Sequence, residues 1–273
     1  MFHVADLHTH STASDGQYVP SELVKMAGEA GIEVMALTDH DTMDGLEEAA
    51  VAGRNYDVAI IPGVELSARE YHTFHILGYG FIKGNDTPIA ALCREMKQRR
   101  DAREGRILQY LREFGFDLTA EEVEAAAGGD IIGRPHFAQA MTRRGYVSNT
   151  REAFDKYLDT DEFHERIETG KPPVSECIEA IKTSGGKASL AHPYQIGLDN
   201  DALDELVKHL TDIGLDAIEC YYPKFTASQE QFYLSLASKY HLHITGGSDF
   251  HGEKVKPDVS LAQVMLDIDW LMG

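Results

Sequence analysis

The sequence predicts a parallel α/β protein, a barrel, interrupted by one long helical insertion. Three observations carry that expectation. Short apolar runs alternate with helical stretches along most of the chain. The helical stretches stop at glycine, which takes the left-handed conformation past a helix end at no steric cost. Histidines and carboxylates gather where the apolar runs end, the place at which parallel α/β folds build their sites.

Taken in order, residues 2–8 read as the first strand, and a helix starts at Pro20-Ser21-Glu22 and stops before Gly31. Residues 32–38 are the second strand, followed by a helix from Asp44 to Ala52 that stops at Gly53. The runs 58–65 and 73–79 give strands three and four. Residues 82–171 then break the rhythm with wholly helical patterns, Pro88 to Phe114, Thr119 to Ala127, Arg134 to Arg144 and Thr150 to Leu158. The rhythm resumes with a helix from Val174 to Ser184 before Gly185-Gly186, a strand at 187–192, and a helix from Ala202 to Ile213 before Gly214. Strands at 215–221 and 242–248 complete a set of seven. The domain expectation is a discontinuous barrel, 1–81 with 172–273, and a helical insertion, 82–171, that caps the strand ends.

The formal net charge is −20, which disfavours protein-wide affinity for nucleic acid or anionic membrane. A nucleic-acid substrate needs a local basic pocket. The three cysteines, Cys93, Cys177 and Cys220, are far apart and make neither a disulfide framework nor a CxxC site, in keeping with a cytoplasmic protein. No signal peptide precedes the first strand, and no apolar run approaches the roughly 18 residues a membrane span needs. Neither membrane nor duplex nucleic acid is an expected partner.

Chemistry concentrates in four segments: Asp6-Leu7-His8-Thr9-His10, Thr38-Asp39-His40-Asp41, Ala191-His192-Pro193 and Gly247-Ser248-Asp249-Phe250-His251. Glu65 and His75 add to them. The donors are nitrogen and oxygen only, a set that suits Mn²⁺, Fe²⁺ or Zn²⁺ in hydrolysis better than a structural zinc knot. His8 and His10 share a strand face by their spacing, and Asp249 and His251 repeat it. His72 and His75 stand at odd spacing, so only one faces the metals; His75 lies deeper in its apolar run. Asp39 and Asp41 are expected to orient ligands. His3, His209, His241 and His243 have no paired motif.

These motifs, with Ser14-Asp15-Gly16 and Pro62-Gly63-Val64-Glu65, resemble the polymerase-and-histidinol-phosphatase (PHP) family of metal-dependent phosphoesterases, in the family's order along nearly the whole chain. The resemblance implies a distorted (β/α)7 barrel and two to three divalent ions, Mn²⁺, Fe²⁺ or Zn²⁺. It assigns His8, His10, Glu65 and Asp249 to the first ion, Glu65, His75 and His192 to the second, and Asp15, His40 and His251 to the third. Asp15 stands where the family sometimes has histidine. The implied reaction is attack of a metal-bridging hydroxide on phosphorus, with Glu65, Asp249 and His192 as catalytic residues and no serine or cysteine nucleophile. Asp249 is a candidate proton acceptor; His192 and a metal-bound water are alternative proton donors.

In the insertion, Arg94, Lys97, Arg99, Arg100, Arg103 and Arg106 read as a solvated helix face beside an apolar stripe. Arg134 and His136 resemble a helix start that meets substrate in nucleotide-acting members, and are the substrate-binding candidates. The expected substrates are nucleoside monophosphates, 3′,5′-bisphosphates or short 5′-phosphorylated RNA. Cyclic ribose phosphates and histidinol phosphate are the alternatives. A degenerate, non-catalytic PHP module would lack ligands, and all nine expected positions are filled.

Overall fold

The computed structural model describes residues 1–71, 73–127, 132–167 and 170–272. Its elements in chain order are β1 (Phe2–Thr9), α1 (Pro20–Glu29), β2 (Val34–Leu37), α2 (Leu46–Tyr56), β3 (Ala59–Ser67) and β4 (His75–Tyr79). There follow α3 (Pro88–Glu113), α4 (Ala120–Ala127), α5 (Arg134–Arg143), α6 (Thr150–Ala153), α7 (Asp161–Ile167) and α8 (Val174–Thr183). Last come β5 (Lys187–Leu190), α9 (Asn200–Asp212), β6 (Ala217–Tyr221), α10 (Ala227–Tyr240), β7 (His243–Gly246), β8 (Val264–Asp267) and α11 (Asp269–Met272).

The strands form one sheet of eight, in the order β7-β6-β5-β4-β3-β2-β1-β8. Past the end of β7 the chain pairs with the end of β1: Asp249 N–H donates to His8 O at 2.8 Å and His10 N–H to Phe250 O at 3.0 Å. The sheet is therefore a nearly closed barrel. Gly247 permits this approach, because a Cβ there would stand 2.5 Å from His8 N. Ala5, Leu7, Ile61, Leu77 and Tyr79 pack in the barrel core.

The fold class is the expected one, with two corrections in the sheet. β4 is antiparallel to both β3 and β5, not parallel. The connection 68–74 is shorter than the roughly dozen residues a parallel crossover needs. An eighth strand, β8, pairs antiparallel with β1 and is too short to stand out as an apolar run. Helices also differ. α2 passes Gly53 and ends at Asp57, whose φ of 56° supplies the left-handed cap. Gly53 instead allows close packing, since a Cβ would lie 2.6 Å from Ile60 Cγ1. α10 was not expected, although Thr226 and Gln229 form its capping box. The expected single helix Thr150 to Leu158 is α6 followed by a π-helical turn, Phe154–Leu158.

The chain divides into two units, residues 1–94 with 172–273, and residues 95–171. Residues 82–94, expected in the insertion, belong to the first. Ile82 N–H donates to Ser184 O at 2.9 Å and Ile89 N–H to Ser184 Oγ at 3.0 Å. The second unit has its own core, including Ile107, Tyr110, Leu111, Phe137, Met141 and Phe163. Among the described residues no helix is long and apolar enough to cross a membrane.

Candidate metal centre

β1 delivers two histidines to the site through a register irregularity. Asp6 pairs with Met35 and Thr9 with Leu37, so three steps along β1 match two along β2. Such a bulge re-aims side chains. Leu7 packs in the core, while the next residue, His8, faces the site. Asp6 ties this strand to the turn after β7: it accepts Ser248 N–H at 2.9 Å, Ser248 Oγ–H at 2.6 Å and Ala262 N–H at 2.8 Å. Burial pushes its carboxyl up to about 6, against those hydrogen bonds.

Glu65, fully buried on β3, is the hub. Its Oε2 lies 3.2 Å from His8 Nε2, 3.1 Å from His10 Nε2 and 3.1 Å from His40 Nδ1. Its Oε1 lies 2.8 Å from both His75 Nδ1 and His192 Nε2. Burial alone would raise its pKa, but the imidazoles of His40, His8 and His75 hold it well below the carboxylate range. His75 reaches the hub from the first residue of an antiparallel strand, not from a carboxyl end as expected. Because β4 is reversed, its amino end sits beside the carboxyl ends of its neighbours, with Ser67 opposite His75. His72 lies outside the described residues.

Asp249 Oδ1 stands 3.3 Å from His10 Nε2 and 3.3 Å from His251 Nδ1. The exposed Asp15 stands 3.3 Å from His251 Nε2, 3.7 Å from His10 Nδ1 and 3.9 Å from His40 Nε2. Three sets of potential ligand atoms thus lie within 4.8 Å of one another: His8, His10, Glu65 and Asp249; His10, Asp15, His40 and His251; and His40, Glu65 and His75. Eight of the nine residues named from the sequence fall in these sets; His192 is in none of them, although its Nε2 lies 2.8 Å from Glu65 Oε1. The grouping differs from the expected one: His40, not His192, stands with Glu65 and His75, and His10 and His40 each join two sets. Asp41, His192 and Asp249 at this centre have φ of 54°, 25° and 54°, a left-handed backbone that non-glycine residues adopt sparingly.

The donors fit divalent cations. His8 Nε2, His10 Nε2 and Glu65 Oε2, which face one another, are buried without a hydrogen bond. Buried polar atoms are almost always satisfied, so several converging on one point call for a cation. The contacts of 2.8–3.3 Å around Glu65 and Asp249 approach the roughly 3.4 Å between ligands on a tetrahedral ion.

Contacts behind the ligands were partly missed. Glu219 accepts His8 Nδ1–H at 3.1 Å and His192 backbone N–H at 2.7 Å. A carboxylate inside the buried run Ala217-Ile218-Glu219-Cys220 was the available signal. Tyr222 Oη–H donates to Asp249 Oδ2 at 2.8 Å, and Lys256 Nζ lies 2.6 Å from the same oxygen. Nothing local marks those two residues. Asp39 acts on the loop: it accepts Ser11 N–H at 2.7 Å and Ser14 Oγ–H at 2.6 Å, holding the segment that carries Asp15. Asp41 accepts Ser67 N–H at 2.9 Å.

Arg134 and His136 belong to the second unit. Arg134 Nη1 lies 2.6 Å from Asp159 Oδ1, and its guanidinium lies over the Phe154 ring. His136 Nδ1 accepts Gly133 N–H at 2.9 Å, and burial lowers its pKa. Of the histidines set aside, His3 pairs with Glu33, His243 stacks on Trp270 and His241 caps α10.

A family model described as the PHP domain matches residues 6–246. The chain is similar to a 5′-3′ exoribonuclease of Haemophilus influenzae, 34% identical across 90% of this chain and 89% of that protein. It is similar to a phosphoribosyl 1,2-cyclic phosphate 1,2-diphosphodiesterase of Eggerthella lenta, 32% identical across 92% of this chain and 95% of that protein. A solved structure from Bifidobacterium adolescentis, described as a metal-dependent phosphoesterase, matches with a TM-score of 0.79 and 29% identity, covering 97% of this chain and 93% of that one.

Proposed function

The chain belongs to the PHP domain family and is a metal-dependent phosphoesterase of small phosphorylated substrates; on that premise we propose that its substrates are nucleotides: nucleoside monophosphates, 3′,5′-bisphosphates or short 5′-phosphorylated RNA. The observation that carries the chemistry is Glu65, whose two oxygens face five imidazoles in a buried pocket. The likeness to an exoribonuclease supports the substrate class.

In this reading His8, His10, Glu65 and Asp249 hold one divalent cation. Glu65, His75 and His192 would hold a second, and Asp15, His40 and His251 a third. Bound there, Mn²⁺, Fe²⁺ or Zn²⁺ lowers the pKa of water and neutralises charge on the phosphoryl group. Glu219 keeps the His8 proton on Nδ1, so that Nε2 presents its lone pair to the pocket. Asp249 O accepts the Nδ1–H of His251 at 2.9 Å and turns that ring's Nε2 toward Asp15. Tyr222 and Lys256 occupy Asp249 Oδ2 and leave Oδ1 facing the pocket, where it is placed to take a proton from water. Arg134 and His136 are the proposed substrate contacts of the second unit. Burial pushes the thiols of Cys177 and Cys220 up, which disfavours either as a nucleophile.

The likeness to the Eggerthella lenta enzyme favours a second reading, hydrolysis of a cyclic ribose phosphate. One panel separates the two: Mn²⁺-loaded protein assayed against AMP, adenosine 3′,5′-bisphosphate, a 5′-phosphorylated dinucleotide, histidinol phosphate and a 1,2-cyclic ribose phosphate. Phosphate release from the nucleotides is expected. Turnover of the cyclic compound alone would replace the first reading with the second.

A further inference from the structure

His192 is followed by Pro193 and Tyr194 in a 3₁₀ turn, Pro193–Ile196, at the carboxyl end of β5. One strand over, β6 ends in Tyr221, and Tyr222 and Phe225 follow in a turn closed by Phe225 N–H to Tyr222 O at 3.0 Å. The two turns bring three rings together. Centroids are 5.6 Å apart for Tyr194 and Tyr222, 5.6 Å for Tyr194 and Phe225, and 5.1 Å for Tyr222 and Phe225. Their interplanar angles are 43°, 79° and 38°, so no two of the three stack face to face.

The cluster is anchored by buried rings, and two of its members are partly exposed. Tyr222 is 5% exposed and Tyr233, against which Phe225 packs at 4.8 Å, is 2% exposed. Tyr194 and Phe225 themselves are half-buried. The cluster also touches the metal pocket directly: the Tyr222 ring is 6.1 Å from the His192 ring, and its hydroxyl donates to Asp249. The half-buried rings therefore begin one tyrosine's length from the pocket carboxylate. A nucleotide spans a comparable interval between phosphate and base.

We propose that Tyr194 and Phe225, backed by the buried Tyr222, form a base-stacking subsite, which takes the purine or pyrimidine ring of a nucleotide whose phosphate enters the metal pocket. This rests on the phosphoesterase reading above and narrows it to base-bearing substrates. Aromatic faces stack on any nucleobase and are tolerant of its identity. A cyclic ribose phosphate, which has no base, would leave the cluster idle.

The test uses Zn²⁺-loaded full chain, with adenosine and ribose as probes that cannot be hydrolysed. In saturation-transfer NMR the adenine protons of adenosine are expected to receive saturation, and ribose alone to receive none. Tyr194→Ala and Phe225→Ala are expected to abolish the adenine signal, and Phe225→Tyr to restore it. Circular dichroism and metal content check each variant, and Tyr194→Leu replaces Tyr194→Ala if that variant unfolds. In parallel, the ratio of kcat/KM for AMP to that for ribose 5-phosphate is expected to fall about tenfold in either alanine variant. An adenine signal or an AMP preference that survives both variants would overturn the subsite. Hydrolysis of both phosphates without adenosine binding or AMP preference removes the subsite and leaves the hydrolase. Loss of adenosine binding in the variants, with neither phosphate hydrolysed by wild type, keeps the subsite and removes the nucleotide-phosphatase reading.

Discussion

Lys256 Nζ lies 2.6 Å from Asp249 Oδ2, on the side of that carboxylate away from His10 and His251. A charge-assisted donor at that distance fixes which oxygen Asp249 presents to a cation. Replacing it, as Lys256→Met, is expected to weaken metal binding about 10- to 100-fold. Lys256→Arg, which keeps a donor, is expected to recover part of that loss. Competitive metal titration with a chromophoric chelator reads the effect; unaltered affinity in the methionine variant would refute the role.

Glu219 joins two ligands that are far apart in sequence, holding the His8 ring and the His192 backbone. Glu219→Leu leaves both N–H groups without an acceptor. Metal affinity is expected to fall at least as far as in Lys256→Met, and the melting temperature of the metal-free protein to drop. Wild-type values for both would show that neither hydrogen bond matters.

Glu65 contacts five imidazoles, so its loss disrupts more than one set of ligands at once. Glu65→Ala, His8→Ala and Asp249→Asn are each expected to abolish measurable turnover, and chelation of wild type to do the same until metal is restored. Elemental analysis should show the largest drop in bound metal for Glu65→Ala. Full activity of a chelated, metal-free preparation would contradict the assignment.

Burial pulls the His10 pKa down, but the neighbouring Asp249 and Glu65 carry it up to about 9, above its ordinary 6.5. Without metal, His10 is therefore protonated at neutral pH. The stability it contributes is complete below pH 6.5 and is lost as pH rises through about 9. A cation needs the neutral ring and must displace that proton. Apparent metal affinity is expected to increase across this window while the melting temperature of the metal-free protein decreases. Titrations and melts at pH 6.5, 7.5 and 8.5 would expose a flat response, which would contradict both.

Arg134 has an anionic neighbour, Asp159 at 2.6 Å, which positions the guanidinium. Arg134→Ala is expected to lower kcat/KM for nucleotides by about tenfold with metal content unaltered, in line with the loss of one charge-assisted contact. An unchanged rate constant would take Arg134 out of substrate binding.

The residue types of the centre could be read from the chain alone, because a hydrolytic metal site needs nitrogen and oxygen donors and short-range spacing places them. Asp249 and His251 lie past the end of β7, with Asp249 at φ 54°, so strand alternation does not account for that pair. His8 with His10 is a pair that strand spacing anticipates. The stops of α1, α8 and α9 at Gly31, Gly185 and Gly214 are local in the same way, each glycine having φ between 78° and 108°. Gly53 misled, because a glycine that ends a helix and one that admits a close neighbour look alike in one dimension. The direction of β4, the closure of the sheet by residues 247–250 on β1, and the crowding of five histidines about Glu65 came from pairing registers between distant segments. Glu219, Tyr222 and Lys256 acquire their roles from the same closure. Such contacts depend on where the whole barrel brings strands into register, and no neighbouring residue encodes that.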